Sequence, residues 1–324
     1  MAPQLVFGLR TLRFGLLFCV FYLLVMSMAV NAQPGGVMGL RFTNIPPVAP
    51  TFGGQSSYMF EELRSIDDVD VVWIGSSHAY RTFDPRFFAD RGVSTFNMGT
   101  SGQTPINTYF LIDHFLDDVR PRAVVMEVYW NVLTWDGVES TLDIVANGVP
   151  APWILRMAVA TRDIRAVNSF IRRLVDIRRP QLEEVQPTLF VGDTYVDRGF
   201  VEKDPAFVGD RTWPQGHLDV RARQLLYLER TVDLVVKRGI PLLLITQPLP
   251  QSTLDAITNE SDLYASVEEI ADRHDVPYVD FNGLVALDDT ADFFDAHHLS
   301  QRGVLKFLPA VYDKMVEWGL ISAR

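Results

Sequence analysis

The sequence predicts an α/β protein: a doubly wound, five-stranded parallel sheet with helices on both faces, preceded by an N-terminal transmembrane helix. Three observations carry this. From about residue 55 onward, short apolar runs alternate with stretches of helical periodicity. The runs are apolar at consecutive positions, as in strands buried on both faces. Residues 1–32 hold an apolar segment behind two arginines.

The strands are read at Val69 to Ile74, Val93 to Phe96, Ala123 to Tyr129, Ile240 to Thr246 and Val276 to Phe281. Each is short and rich in β-branched or other apolar residues. Between them lie helical patterns: Tyr109, Leu111, Ile112 and Phe115, ending before Pro121; Leu225, Leu226, Leu228, Val232, Leu234 and Val235; and a helix near Leu263 to Arg273. A final helix runs from about Ser300 to Trp318. The rhythm breaks at about 140–220, which holds an amphipathic basic segment, Arg162 to Arg179, and then a polar run with Pro and Gly. This is read as an insertion: a candidate substrate wall or partner surface, or equally a mere surface excursion. No internal repeat is present.

At the N-terminus, Arg10 and Arg13 precede an apolar run from Phe14 to Val30, and no further charge occurs before Arg41. The run lies at the short end of the ~20 residues that span a bilayer, and exceeds the usual apolar region of a secretory signal. Val30-Asn31-Ala32 could serve as a cleavage site, in which case the protein is secreted. Otherwise the arginines stay inside, and the chain is a single-pass membrane protein with its domain extracytoplasmic. The segment is expected to project as one helix without a packing partner. Residues 33–54, rich in Pro and Gly, read as a linker, and 55–324 as the domain. Cys19 is the sole cysteine, so an intramolecular disulfide and a CxxC metal site are both excluded. Leu16-Leu17-Phe18 before it lacks the small residues of a lipoprotein box.

The 324 residues carry 40 acidic and 29 basic side chains, a net charge of −11. That balance excludes a nucleic-acid partner, which needs a basic footprint. It suits a neutral or cationic partner, or a well-solvated surface.

Two short blocks carry chemistry. The first strand ends in Gly75-Ser76-Ser77-His78, and the carboxyl end of a leading parallel strand is where such folds place reactive groups. Asp292-Phe293-Phe294-Asp295-Ala296-His297-His298-Leu299 precedes the last helix. An Asp and a His three apart can turn toward one pocket, the His taking a serine proton and the Asp fixing its tautomer. Ser101 is a rival nucleophile, but it follows a shorter strand and no Gly-x-Ser-x-Gly elbow exists. His78 is expected to bond locally and His297 to point away from His298. Asp292, Asp295, His297 and His298 could be drawn as a metal site, but all four come from one segment with no second cluster. His114, His217 and His274 read as ordinary histidines. Tyr129-Trp130 reads as core or as the wall of a sugar pocket. Neither a cofactor nor a metal is expected.

Together these blocks resemble the SGNH/GDSL hydrolase superfamily. Gly75-Ser76-Ser77 stands for its Gly-Asp-Ser block, and Asp295-Ala296-His297-His298-Leu299 for its Asp-x-x-His block. Asn97-Met98-Gly99-Thr100-Ser101-Gly102-Gln103-Thr104 is similar to the block that supplies a glycine amide, best matched by Gly102. Tyr129-Trp130-Asn131 stands where the family places an oxyanion asparagine, which makes Asn131 the candidate. The likeness covers about residues 65–135 and 225–320. It implies a flavodoxin-like sheet of the SGNH type, with Ser77 as nucleophile, His298 as general base and Asp295 as its orienter. The oxyanion hole would be formed by the Ser77 and Gly102 amides and the Asn131 side chain. Two departures stand out: Ser76 replaces the family's aspartate, and Asn131 lacks the Gly-x-Asn-Asp context.

The Gly-Ser-Ser-His start resembles the membrane-associated branch of DltD-like and alginate O-acetylation proteins. That likeness implies action on O-acyl esters, acetyl above all, of an envelope or extracellular glycan. The chain would be an esterase, a deacetylase or an O-acyltransferase, serving beside a membrane-bound acyltransferase. The alternative is a non-catalytic glycan-binding or scaffold protein of a polysaccharide-modification complex.

Overall fold

The computed structural model describes residues 3–32, 54–66, 68–148, 151–176 and 189–322. Most of the linker and Arg179 lie outside them. The chain opens with α1 (Pro3–Ala32) and α2 (Gly54–Leu63), and then enters the alternating part: β1 (Val71–Ile74), α3 (Ser77–Thr82), α4 (Pro85–Ala89), β2 (Thr95–Asn97), α5 (Pro105–Val119) and β3 (Ala123–Glu127). A 3₁₀ turn (Trp130–Leu133) leads to three consecutive helices, α6 (Val138–Asn147), α7 (Pro152–Ala160) and α8 (Ile164–Asp176), and to a hairpin of β4 (Asp193–Asp197) and β5 (Phe200–Lys203). The alternation resumes with α9 (Ala222–Lys237), β6 (Leu242–Thr246), α10 (Gln251–Leu254), α11 (Glu260–Arg273), β7 (Tyr278–Asp280) and α12 (Gln301–Glu317).

Five strands form one parallel sheet in the order β2-β1-β3-β6-β7. Counted within the sheet, this is the flavodoxin-like order, which reverses direction beside β1 and opens a crevice at the strands' carboxyl ends. The strands are shorter than their apolar runs, because residues such as Val69 and Val93 pack into the core before ladder pairing begins.

Side-chain alternation explains the double winding. Val72, Ile74, Val124, Met126, Leu242 and Leu244 face one core, built with α5, α9 and α11. Val71, Trp73, Ala123, Val125, Leu243 and Ile245 face the other, built with Phe83, Phe88 and the α12 residues Phe307, Leu308 and Val311. Trp73 stacks on Phe83 with ring centroids 4.0 Å apart. Burying each such side chain contributes about 1.5–3 kcal/mol, which is why consecutive apolar residues were needed.

The interruption between β3 and α9 has two parts. The helices α6, α7 and α8 pack on one another and on α5 and α2. The hairpin packs on α3, held by an ion pair in which both Arg81 guanidinium nitrogens donate to Asp193 at 2.8 and 2.7 Å. Lys203 lies 2.7 Å from the same carboxylate, and all three side chains are buried. A bidentate, doubly compensated carboxylate can stay charged away from water.

The helix α1 differs in one respect from expectation. Its apolar side chains from Phe7 to Leu24 are largely exposed, but its far end packs on α8. Met26 is buried, and the Tyr22 hydroxyl donates to the Asn168 side chain. A helix that was expected to stand alone therefore has a protein partner at one end, because α8 offers a buried amide that Tyr22 can reach.

Candidate active site

The turn after β1 is shaped by a buried carboxylate. Glu127 ends β3 beside Gly75, where a Cβ would lie 2.5 Å from its Oε2; only glycine fits that approach. The Ser76 amide and hydroxyl both donate to Glu127 Oε2, at 3.0 and 3.1 Å. Ser76 also caps α3, its hydroxyl accepting from the His78 amide at 3.3 Å. Ser77, the first residue of α3, is thus presented at the carboxyl edge of the sheet. Burial pushes the Glu127 carboxyl up to about 7, against the pull of its hydrogen bonds from Ser76.

His298 and Asp295 come from the loop between β7 and α12. Phe293 bridges Leu299, and the Phe294 amide donates to the His298 carbonyl at 3.0 Å. Asp292 is buried and bound by Lys306 at 2.6 Å and Arg302 at 3.1 Å. Its work is to pin this loop to α12, which removes it from any metal set.

The structure brings Ser77, His298 and Asp295 into one hydrogen-bonded chain. Ser77 Oγ lies 2.8 Å from His298 Nε2, and His298 Nδ1 lies 2.8 Å from Asp295 Oδ2. The other carboxylate oxygen accepts from the His297 and His298 amides at 2.9 and 2.7 Å. Nδ1–H thus donates to Asp295, which leaves Nε2 free to accept from the Ser77 hydroxyl. Burial works to raise the Asp295 carboxyl, but the His298 charge and these hydrogen bonds hold it well below the usual carboxylate range. Burial lowers His298, against the opposing pull of Asp295, so its neutral form extends below pH 6.5.

Two expectations about the histidines are corrected. His297 does not point away from His298: the rings lie 3.9 Å apart. His78 does not bond locally through its ring: its Nε2 pairs with His297 Nδ1 at 2.9 Å. The cause is the Phe293–Leu299 pairing, which folds the loop so that adjacent residues reach the same pocket. His78 stacks on Tyr129 at 4.0 Å, and Trp213 stands edge-on to His297 at 5.7 Å. Burial pushes His297 down to about 3, aided by repulsion from His298, and lowers His78 well below its ordinary value, so both rings beside His298 are neutral near pH 7. The ring nitrogens of His78, His297 and His298 lie within 4.8 Å of one another, close enough to hold a metal ion. An ion there would have to take His298 from Ser77 or break the His78–His297 bond.

Gly102 lies in the turn after β2 with φ +58°, and a Cβ there would meet the Glu139 carboxylate at 3.0 Å. Asn131 lies in the 3₁₀ turn after β3, its Oδ1 accepting from the Thr134 hydroxyl at 3.3 Å. Among the described hydrogen bonds, none joins either residue to the triad. Ser101, the rival nucleophile, donates to Glu139 at 2.9 Å. The segment after the hairpin runs along the triad loop: the Gly209 amide donates to the Phe294 carbonyl, the Ala296 amide to the Asp210 carbonyl, and Arg211 to the carbonyls of Asp289, Thr290 and Phe293. Glu127 was missed from sequence. Its signal is a carboxylate closing an otherwise apolar strand, since a lone acid in that position is rarely buried without a purpose.

Sheet order and hydrogen bonding together define an α/β protein with a serine–histidine–aspartate chain at the carboxyl edge of its sheet, an arrangement similar to that of the SGNH/GDSL superfamily, which the sequence blocks resemble. No protein-family model matches the sequence, and no curated protein matches it. Solved structures similar to this chain include a GDSL-like lipase from Bacteroides thetaiotaomicron (13% identity, TM-score 0.42, covering 81% of this chain and 99% of that one). A lipase/acylhydrolase from Enterococcus faecalis shows 12% identity and a TM-score of 0.41, with 80% and 99% covered. A psychrotrophic esterase from a Pseudoalteromonas species shows 11% and 0.36, with 77% and 98% covered. At such likeness these neighbours carry no argument about what this chain does.

Proposed function

We propose that this chain is a serine-nucleophile ester enzyme that acts on O-acyl, chiefly acetyl, esters of an envelope or extracellular glycan. One observation carries the reading: the continuous chain from Asp295 through His298 to Ser77, each link 2.8 Å. Ser77 Oγ attacks the acyl carbonyl as His298 Nε2 takes its proton, and Asp295 stabilises the resulting imidazolium. The developing oxyanion is met by the Ser77 and Gly102 amides and the Asn131 side-chain amide. His298 then gives its proton to the leaving sugar oxygen, which departs as the alcohol. In the second half His298 deprotonates the acceptor, which attacks the acyl-serine and releases Ser77. Water as acceptor makes the chain an esterase or deacetylase; a sugar hydroxyl makes it an O-acyltransferase. The half-buried Trp213 beside Tyr129 and His297 supports a sugar substrate, since aromatic faces suit the apolar faces of pyranose rings.

The stretch Val6–Met26 of α1 is long and apolar enough to cross a membrane. With Arg10 and Arg13 on the cytoplasmic side, the domain would sit outside, near envelope polymers and any membrane-bound acyl donor. The test is covalent labelling by a fluorophosphonate, with turnover of an aryl acetate. The label should map to Ser77, and Ser77→Ala should lose both labelling and turnover while keeping its fold. Labelling elsewhere, or full turnover by Ser77→Ala, would refute the assignment.

A further inference from the structure

We infer that α8 lies in the membrane–water boundary, with Ile164, Val167, Ile171 and Leu174 set among the lipids of the leaflet that α1 leaves. The inference rests on the reading that α1 spans the bilayer, and adds a second lipid contact to it.

The spacing of these four residues, i, i+3, i+7 and i+10, places them on one stripe of α8. The opposite side is committed to protein: Ala166, Asn168, Ser169 and Phe170 are buried, and α8 packs on α6 and α7. The apolar stripe is left outward, with Ile164 52% exposed, Leu174 37% exposed, and Val167 and Ile171 half-buried. On the neighbouring α7, Leu155 and Val159, one turn apart, are also exposed. Water is a poor solvent for such a contiguous surface.

What covers the stripe is indicated by α1. It packs on α8 with Tyr22 bonded to Asn168, near the outward end of the membrane-spanning stretch Val6–Met26, where Met26 is also buried. The docking therefore holds α8 at the level where the chain emerges from the bilayer. Arg162, exposed, and Arg165, half-exposed, stand at the start of α8. Arg165 is paired with Asp163 at 2.7 Å, so Arg162 is the cation offered to headgroups at this end of the stripe. An amphipathic helix with its apolar face outward and a cation at its end is a pattern of helices that lie in the interface plane, the apolar face sunk to the headgroup–acyl boundary. A helix fixed there would hold the domain at a set height and tilt, rather than let it swing on a tether.

The test uses the full chain in phosphatidylcholine–phosphatidylglycerol vesicles. An environment-sensitive fluorophore is attached through Leu174→Cys or, separately, Ile164→Cys, each with Cys19→Ser. Lipids carrying a nitroxide near the headgroup and aqueous iodide serve as quenchers. Both labels should lose roughly half their emission to the nitroxide lipids and resist iodide. Exposed Leu284→Cys should behave the other way. A label at Phe18→Cys in α1 is the reference. Quenching by lipid at 18 but not at 164 or 174 would overturn the placement of α8 while leaving α1 across the bilayer. No lipid quenching at 18 would overturn the spanning reading as well. Labels at 164 and 174 shielded from both quenchers would refute lipid contact in favour of a protein neighbour, such as a second copy of the chain.

Discussion

Glu127→Gln should flatten the pH dependence of stability. In the folded chain Glu127 is buried, and its carboxyl is raised from 4.5 to about 7. An acid raised on folding contributes stability fully present below its unfolded pKa and lost as pH rises through the folded one. At about 1.4 kcal/mol for each tenfold change in proton affinity, that interval is worth about 3 kcal/mol between pH 4.5 and 7. Glutamine keeps an oxygen for the Ser76 amide and hydroxyl. Its amide group would occupy the place of Glu127 Oε1, which is buried and has no hydrogen-bond partner. The substitution mimics the neutral acid and cannot ionise. Urea denaturation in detergent, followed by tryptophan fluorescence at pH 5 and pH 8, reads the difference. Wild type should lose stability over that interval by up to about 3 kcal/mol more than Glu127→Gln. Equal slopes in the two proteins would refute the reasoning.

Further outcomes follow from the triad. Because burial lowers His298, the acid limb of kcat/KM for an aryl acetate should lie below pH 6.5. Asp295→Asn should cut turnover by about 10⁴-fold, against about 10⁶-fold for His298→Ala, since it spoils the tautomer but leaves the base. Asp295 pulls the His298 pKa upward, so the residual activity of Asp295→Asn should show its acid limb at still lower pH; a limb moved upward would contradict that electrostatic role. Asn131→Ala should lower kcat by ~10²-fold with little change in KM. Unchanged kcat would remove Asn131 from the oxyanion hole.

The parts of this molecule that were legible in sequence are those set by local pattern. Parallel strands buried on both faces must be continuously apolar, so Val71 to Ile74 and Leu242 to Thr246 announced themselves. Ser77 and the Asp295–His298 pair were legible because chain order places each at a strand's carboxyl edge. The parts that were hidden depend on partners distant in sequence. Nothing local to His78 indicates a bond to His297, 219 residues away. Nothing in the Arg81 segment foretells the Asp193–Lys203 cluster that docks the hairpin. The expectation that His297 points away from His298 failed because this loop turns back on itself at Phe293 and Leu299.

The three-helix insertion links the ends of the molecule in a way neither end shows alone. The turn that holds Gly102 is braced from α6: Ser101 donates to Glu139 at 2.9 Å, and Thr100 Oγ1 lies 2.7 Å from Ser140 Oγ. The helix α6 also packs on α8, which in turn receives the end of α1. The helix that emerges from the apolar stretch and the turn that supplies a proposed oxyanion amide thus press on the same small bundle. Buried Ile144, Trp153, Ile154, Met157 and Phe170 of these helices are continuous with the core built on one face of the sheet with α5, α9 and α11, so the bundle is packed against the domain at interior density. An oxyanion amide is useful only when its position is fixed before the charge develops, because reorganisation during the reaction would consume the stabilisation it offers. On the proposed reading, the Gly102 amide is linked through α6 and α8 to the end of the helix that would cross the membrane. An ester on a polymer anchored near the same surface would then be presented to Ser77 by geometry, without a large binding face of its own.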